Sequence, residues 1–286
     1  RLREVGAASV GVDRLAGEFR PVACIPEPKQ EAGCAVVGGQ VYVAGGVDTY
    51  NNQTDTCWTF NPHTASWTKA PSLTERKDGL TLTAVGSLLV AVGGKGQGKL
   101  LVSTCESLHV DPNGSDSVPT QWQTDLVPGL PVAVFNHAAC EHNGWLYITG
   151  GFTRFVDGSN FADTQRVYRW RVNQSAWEPR QDMRQKRRNH GMAASGRHIF
   201  VFGGNATASS GEMYDEGTDQ WTLLRLPGPK IHAVVSFTGD VLYVTGYDNK
   251  VYVFHPDRQQ WATDEHRLPW DQVLWPSVCY VGTTSH

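Results

Sequence analysis

The chain has no apolar stretch near the roughly 18 residues a membrane span needs, and its opening, RLREVGAASV, contains no hydrophobic signal region. A soluble domain is the expectation. Its formal charge is only −3, too little for bulk attraction to nucleic acid or membrane, so neither is expected as a partner. The six cysteines (Cys24, Cys34, Cys57, Cys105, Cys140, Cys279) stand singly, without a CxxC pair or the dense framework of small secreted domains. That scatter suggests buried reduced thiols and a cytoplasmic address, with nucleus and cytoskeleton as further locations. Four N-x-S/T sequons, at Asn52, Asn113, Asn173 and Asn205, point instead toward an extracellular alternative. The ten His lack HxxxH or HExxH spacing, and the closest approach, His137 and His142, would scatter on alternating strands. No metal, cofactor or catalytic residue is expected.

What the chain does have is repetition. An aromatic followed by six residues and then Trp recurs at Phe60 to Trp67, Trp170 to Trp177, Tyr214 to Trp221 and Phe254 to Trp261, and a lengthened version runs from Val110 to Trp122. Glycine pairs precede these segments at Gly45-Gly46, Gly93-Gly94, Gly150-Gly151 and Gly203-Gly204, and Gly246-Tyr247 is a reduced copy. The repeat of about 50 residues is that of a propeller blade.

Within each unit, Val-rich runs bounded by Gly or Asn-Gly are strand signals, and Gly38-Gly39, Asn143-Gly144 and Thr238-Gly239 favour tight hairpins. The glycine pair ends the second strand, where missing side chains allow backbones to approach near a ring's centre. The aromatic lies on a third strand and the Trp opens a fourth, both as packing residues. The expected fold is all-β, a six-bladed propeller forming one domain over 1–286. Five blades cover about 31–74, 77–130, 134–183, 188–227 and 230–268. The sixth joins 1–25 to 275–286: Val12 and Phe19 are a worn copy of the aromatic pattern, and PSVCYVGTTSH places Val281-Gly282 like Val85-Gly86. Such closure leaves no free sheet edge.

This combination of glycine pair, aromatic, six residues and Trp resembles the kelch repeat over nearly the whole chain. Closure by a C-terminal first strand resembles the kelch domains of BTB-kelch proteins. The departures are Gly246-Tyr247 and the Val12/Phe19 copy. The resemblance implies a non-catalytic adaptor: the kelch ring recruits a substrate protein, while a BTB region preceding residue 1 binds a cullin scaffold of a ubiquitin ligase. Fold alone does not fix function. The alternatives are a cytoskeletal, actin-binding or scaffold kelch protein, an extracellular kelch module, and a kelch-type oxidase resembling galactose oxidase, for which no Cys-crosslinked Tyr with paired His is identifiable. WD40 propellers would repeat Trp-Asp, which occurs once, at Trp270-Asp271. The Gly93 to Lys99 loop only superficially resembles a phosphate-binding loop, since GxxxxGK[ST] is absent.

In a propeller the loops between blades and those between second and third strands share one face, and loops on a rigid scaffold are the usual binding elements. The first group presents Arg76, Lys77, Asn136, His137, Arg188, His190, Lys230 and His232. The second adds Tyr50, Lys99, Arg154, Phe155, Tyr247 and Lys250. Trp270, beside Trp275, either packs over the closing blade or anchors a partner. Together they form a basic rim with aromatics, suited to a short peptide bearing Asp, Glu, phosphate or a terminal carboxylate. The plainer alternative is that these cations are solvated or bond neighbouring backbone at strand starts.

Overall fold

The structure is a computed structural model and describes residues 8–13, 18–111, 121–154, 161–204, 210–226, 235–238, 241–245, 250–262 and 266–267. It opens on an antiparallel hairpin of β1 (Ala8–Asp13) and β2 (Glu18–Cys24). The first four-stranded sheet comprises β3 (Gly33–Val37), β4 (Gln40–Ala44), β5 (Cys57–Asn61) and β6 (Ser66–Ala70), paired in that order. The second comprises β7 (Thr81–Val85), β8 (Leu88–Val92) and β9 (Cys105–His109), with Gln123 bridged to Ser107 at its outer side.

Seven strands follow: β10 (Val134–Phe135), β11 (Ala138–His142), β12 (Trp145–Thr149), β13 (Phe152–Arg154), β14 (Phe161–Asp163), β15 (Val167–Trp170) and β16 (Glu178–Arg180). The third main sheet is β11-β12-β15-β16, and β10-β13-β14 is a small separate sheet. The fourth is β17 (Gly191–Ser195), β18 (His198–Phe202), β19 (Ser210–Asp215) and β20 (Gln220–Arg225). The fifth is β21 (Val235–Thr238), β22 (Val241–Thr245), β23 (Lys250–His255) and β24 (Gln260–Trp261), with β25 (His266–Arg267) also pairing β23. Among the described residues no helix is long and apolar enough to cross a membrane.

The sequence pattern explains these sheets. β8, LLVAV, is a short unbroken apolar run and is buried throughout, as a strand covered on both faces must be. The Asn143-Gly144 turn has positive φ at both residues, 52° and 78°, the geometry that lets a two-residue hairpin follow strand twist. Inner strands β3, β7, β11, β17 and β21 lie side by side in that order, and a separate apolar cluster fills each gap. β25 approaches β2, so the N-terminal hairpin follows the fifth sheet in space. In that hairpin Val12 pairs with Phe19, the register by which Phe60 pairs with Trp67 and Tyr214 with Trp221.

Three recurring contacts hold each sheet to the next. The second glycine of each pair has positive φ, and its N–H donates to the following sheet: Gly46 to Lys77 O at 2.8 Å, Gly94 to Val134 O at 2.8 Å, Gly151 to Arg187 O at 2.7 Å. A Cβ at Gly151 would lie 2.3 Å from Val134 Cγ2, so only glycine fits this approach. The repeated Trp indoles donate backwards: Trp122 to Pro71 O, Trp177 to Pro128 O and Trp221 to Gln181 O, each at 2.8 Å, and Trp261 to Arg225 O at 3.1 Å. Trp67 Nε1, the counterpart in the first sheet, has no partner among the described residues. Finally, Glu31, Gly79, Asn136 and Asn189 occupy one repeat position with positive φ, and their main chains form an inner girdle. Gly79 N–H donates to Glu31 O, Asn136 N–H to Gly79 O and Asn189 N–H to Asn136 O, at 2.8–2.9 Å.

The expectation of reduced thiols needs correction. Cys24, Cys57, Cys105 and Cys140 are free, but Cys34 is disulfide-bonded, and Cys24 is exposed rather than buried. The proposed closing strand, 275–286, lies outside the described residues.

Candidate functional site

Adjacent cations on the loops between sheets have opposite fates. Arg76 is exposed, whereas Lys77 is fully buried and pairs with Glu106 of β9, Nζ to Oε1 2.6 Å. In the fourth sheet Arg188 is half-buried, whereas Arg187 is fully buried. Arg187 bonds Glu212 of β19 (Nε to Oε1 3.1 Å), Gly203 O and Ser210 O. Lys29, at the same repeat position, donates to Gly45 O, Thr54 and Thr56. Lys77 therefore leaves the partner-facing set: the residue four before each inner strand points under the glycine pair. The acidic partners also fix the exposed loops. Glu106 Oε2 accepts the Thr74 N–H at 2.6 Å, and Glu212 accepts those of Arg184 and Gln185 at 2.7 and 3.1 Å. The loops bearing Arg76 and Arg188 are thus held from below by charge-assisted bonds.

His137 and His190 are corrected in the same way. Both are buried, and their Nε2 atoms bond Thr81 and Thr149 hydroxyls at 2.9 Å. Each ring fills space left by the preceding sheet's first glycine, His137 over Gly93 and His190 over Gly150, where Leu80 lies over Gly45. Burial pushes the His137 pKa down to about 3, and burial with the nearby Arg187 charge depresses His190 well below its ordinary value. These are neutral packing residues. Asn136 belongs to the girdle.

The remaining residues form one strip across the loop face. At one end Val47, Asn51, Asn52, Gln53, Arg76, Asp78, Lys95, Gln97 and Gly98 line a depression of ≈ 350 Å³ beside Tyr50, which is 84% exposed. Lys95 bonds Asp78 at 2.8 Å and lies over the Phe135 ring at 5.1 Å, joining this depression to an aromatic column. Phe135 meets Phe152 edge-on at 5.5 Å, and Phe152 stacks on Phe161 at 5.6 Å. Arg188 covers Phe152 at 4.5 Å and Arg154 covers Phe161 at 5.4 Å, so each ring carries a cation. The β10-β13-β14 sheet builds this column by pairing Phe135 with Phe152 and Arg154 with Phe161.

The strip is less basic than its composition suggests. Arg188 is paired with Asp163 at 3.3 Å and Lys95 with Asp78, while Arg76 and Arg154 are exposed with no ion pair among the described residues. Burial, a hydrogen bond to Asp78 and the Asp78 charge push Glu31 up to about 7 despite the counteracting Lys95. Phe152 and Phe161 were not expected from the sequence. Their signal is the aromatic spacing within FTRFVDGSNF. Phe155, Lys230, His232, Tyr247 and Trp270 lie outside the described residues, as does the Lys99 side chain; Lys250 begins β23.

A succession of Trp-stapled antiparallel sheets, most of them ended by a glycine pair on the second strand, with a loop-face strip defines a kelch-type β-propeller. The sequence matches the Attractin/LZTR1 beta-propeller family over residues 18–268, and the chain belongs to that family. It is 25% identical to Kelch-like protein 15 of Danio rerio over 267 residues, 82% of this chain and 42% of that protein. It is also 25% identical to Kelch-like protein 36 of Bos taurus over 263 residues, 83% and 40% respectively. Beta-scruin of Limulus polyphemus is 30% identical over 145 residues, 44% of this chain and 16% of that protein. The chain spans about two fifths of the length of the Kelch-like relatives it matches.

Proposed function

We propose that this chain is the non-catalytic substrate-recruiting domain of a cullin-based ubiquitin ligase, binding a short peptide segment of its substrate on the loop face. The observation that carries this reading is the strip itself. Exposed Arg76 and Arg154 flank rings that offer apolar area, and buried Glu106 and Glu212 hold two of the loops rigid. A peptide with a carboxylate or phosphate beside an apolar side chain matches that chemistry. The Kelch-like names of the relatives support an adaptor role, which needs a cullin-binding region outside this chain. The ring is proposed to be six-bladed and closed by both termini, with the blade boundaries expected from the sequence.

Selection of displayed peptides against the immobilised domain tests the surface. Selected peptides should carry acidic groups, and Arg154→Glu should weaken them by at least tenfold without lowering Tm. Arg154 is the cleaner test than Arg188, because each covers a ring but the replacement of Arg188 also breaks the Asp163 pair. Undiminished binding to Arg76→Glu and Arg154→Glu variants would refute the site.

A second reading is a cytoskeletal or scaffold module. Its surface would lie on the opposite face, where Arg169 and Arg171 stand 3.7 and 4.5 Å from the Trp145 ring. Binding that tolerates the loop-face changes and fails on Trp145→Ala would favour it.

A further inference from the structure

We propose that Glu31 and Asp78 make the depression on the loop face selective for a carboxylate over a phosphate, the anion being bound while the two acids hold one proton between them. This rests on the peptide-binding reading of the loop face and narrows its choice of anion.

The girdle brings the two acids together. Glu31, with φ of 54°, turns the chain ahead of β3, and its carbonyl accepts the Gly79 N–H at 2.8 Å. Asp78 directly precedes Gly79, and the Glu31 and Asp78 side chains are hydrogen-bonded to each other. Two ionised carboxylates offer only acceptors, so a hydrogen bond between them requires a proton. Asp78 is the acceptor. It is buried in the lining of the depression, its Oδ1 takes the Gln53 Nε2 donor, and its Oδ2 pairs with Lys95 at 2.8 Å. Glu31 is the half-buried member and carries the proton, in keeping with a pKa pushed up to about 7 by burial and by the Asp78 bond and charge.

The surrounding charges come from three loops. The loop before β7 supplies Asp78 and places Arg76 at the rim, and the loop after β8 supplies Lys95. The β4–β5 loop supplies the Gln53 amide, while its Asp48 accepts the N–H groups of Tyr50 and Asn52. Lys29, two residues before Glu31, is engaged by Gly45 O, Thr54 and Thr56. On the third-sheet side Phe135 is uncharged and lies under Lys95.

Charge then selects the anion. With Glu31 protonated, Arg76 and Lys95 stand against Asp78 alone, and one carboxylate balances the remaining positive charge. A phosphate carries about −1.5 to −2 at neutral pH, so its excess charge would face Asp78 and the Glu31 carboxyl. Ionisation of Glu31 cancels the positive charge that attracts the anion. Carboxylate binding above pH 7 is therefore coupled to proton uptake by Glu31 from the solvent.

The test is fluorescence polarisation from pH 6 to 8.5 with the acidic peptide selected on the parent domain, capped at both ends and free of His. A second probe carries phosphoserine in place of the acidic residue on which binding depends. In the parent chain the Kd of the carboxylate probe should rise at least ~threefold over this range, and the phosphoserine probe should bind more weakly at pH 7.5. Glu31→Gln keeps a donor for Asp78 without a titrating proton, so it should hold one Kd throughout. A parent Kd independent of pH, an equal pH slope in Glu31→Gln, or equal or tighter binding of the phosphoserine probe would each overturn the proposal. Arg76→Glu separates the two ideas. If it weakens the carboxylate probe while the pH slope is missing, the site stands and the acid pair alone fails; if it leaves Kd unchanged, or if selection yields no acidic peptide, the site fails as well.

Discussion

Lys77 and Arg187 stand beside Arg76 and Arg188 in the sequence, and what separates the members of each pair is whether a carboxylate waits beneath the loop. A fully buried ion pair is costly to break from one side, because the abandoned charge stays in a low-dielectric site. Glu212→Ala should therefore destabilise the fold by about 3–5 kcal/mol in urea titrations, while a Lys77→Met/Glu106→Leu double change should recover most of the loss caused by Glu106→Leu alone. The third sheet shows the exchange already made, with Val134 in place of the cation and Tyr168 in place of the acid, both packed in one cluster. The strand register exposes that correlation between repeats: Glu106 lies two residues before Leu108, Glu212 two before Tyr214 and Tyr168 two before Trp170, and Leu108, Tyr214 and Trp170 pair with equivalent residues of the second strand. Without the partner strand, though, nothing marks which of two adjacent cations points inward.

Titration follows from the same burial. His137 falls from 6.5 to about 3 and His190 shifts the same way, so below pH 6.5 the unfolded chain takes up protons that the native fold refuses, and stability declines toward pH 3. Glu31 runs oppositely. Raised from 4.5 to about 7, its contribution is complete below pH 4.5 and lost as pH rises through 7. Thermal melts should show Glu31→Gln more stable than the parent chain above pH 7, with the difference vanishing below pH 4.5.

At the level of elements, the glycine pairs and repeated aromatics were legible because fixed spacing in sequence maps to fixed offsets between neighbouring strands. Their roles are close backbone approach and indole-to-carbonyl stapling. Gly151→Ala, with φ of 100° and Val134 in the way, should cost at least ~2 kcal/mol in urea unfolding. Gly39→Ala, where no atom lies within 4 Å, should cost only about 1 kcal/mol of backbone strain. Trp177→Phe should lose about 1–3 kcal/mol by leaving the Pro128 carbonyl unbonded. The aromatic column was not legible. Its rings meet through β10-β13-β14 pairing, which joins an inter-sheet loop to a within-sheet loop, and no local period reports that register.

For the molecule as a whole, the repeat supplies a rigid frame and function is proposed to lie where the repeat is broken, in loops of unequal length. The frame and the strip are physically linked, since the acids that neutralise the buried cations also hold the loops. The most direct test is fluorescence polarisation with an acidic peptide selected on the parent domain, comparing that domain with Arg154→Glu at equal Tm. The account predicts at least a tenfold rise in Kd, the loss expected when one charge-assisted hydrogen bond is removed. An unchanged Kd would contradict it and move the binding surface off the loop-face strip.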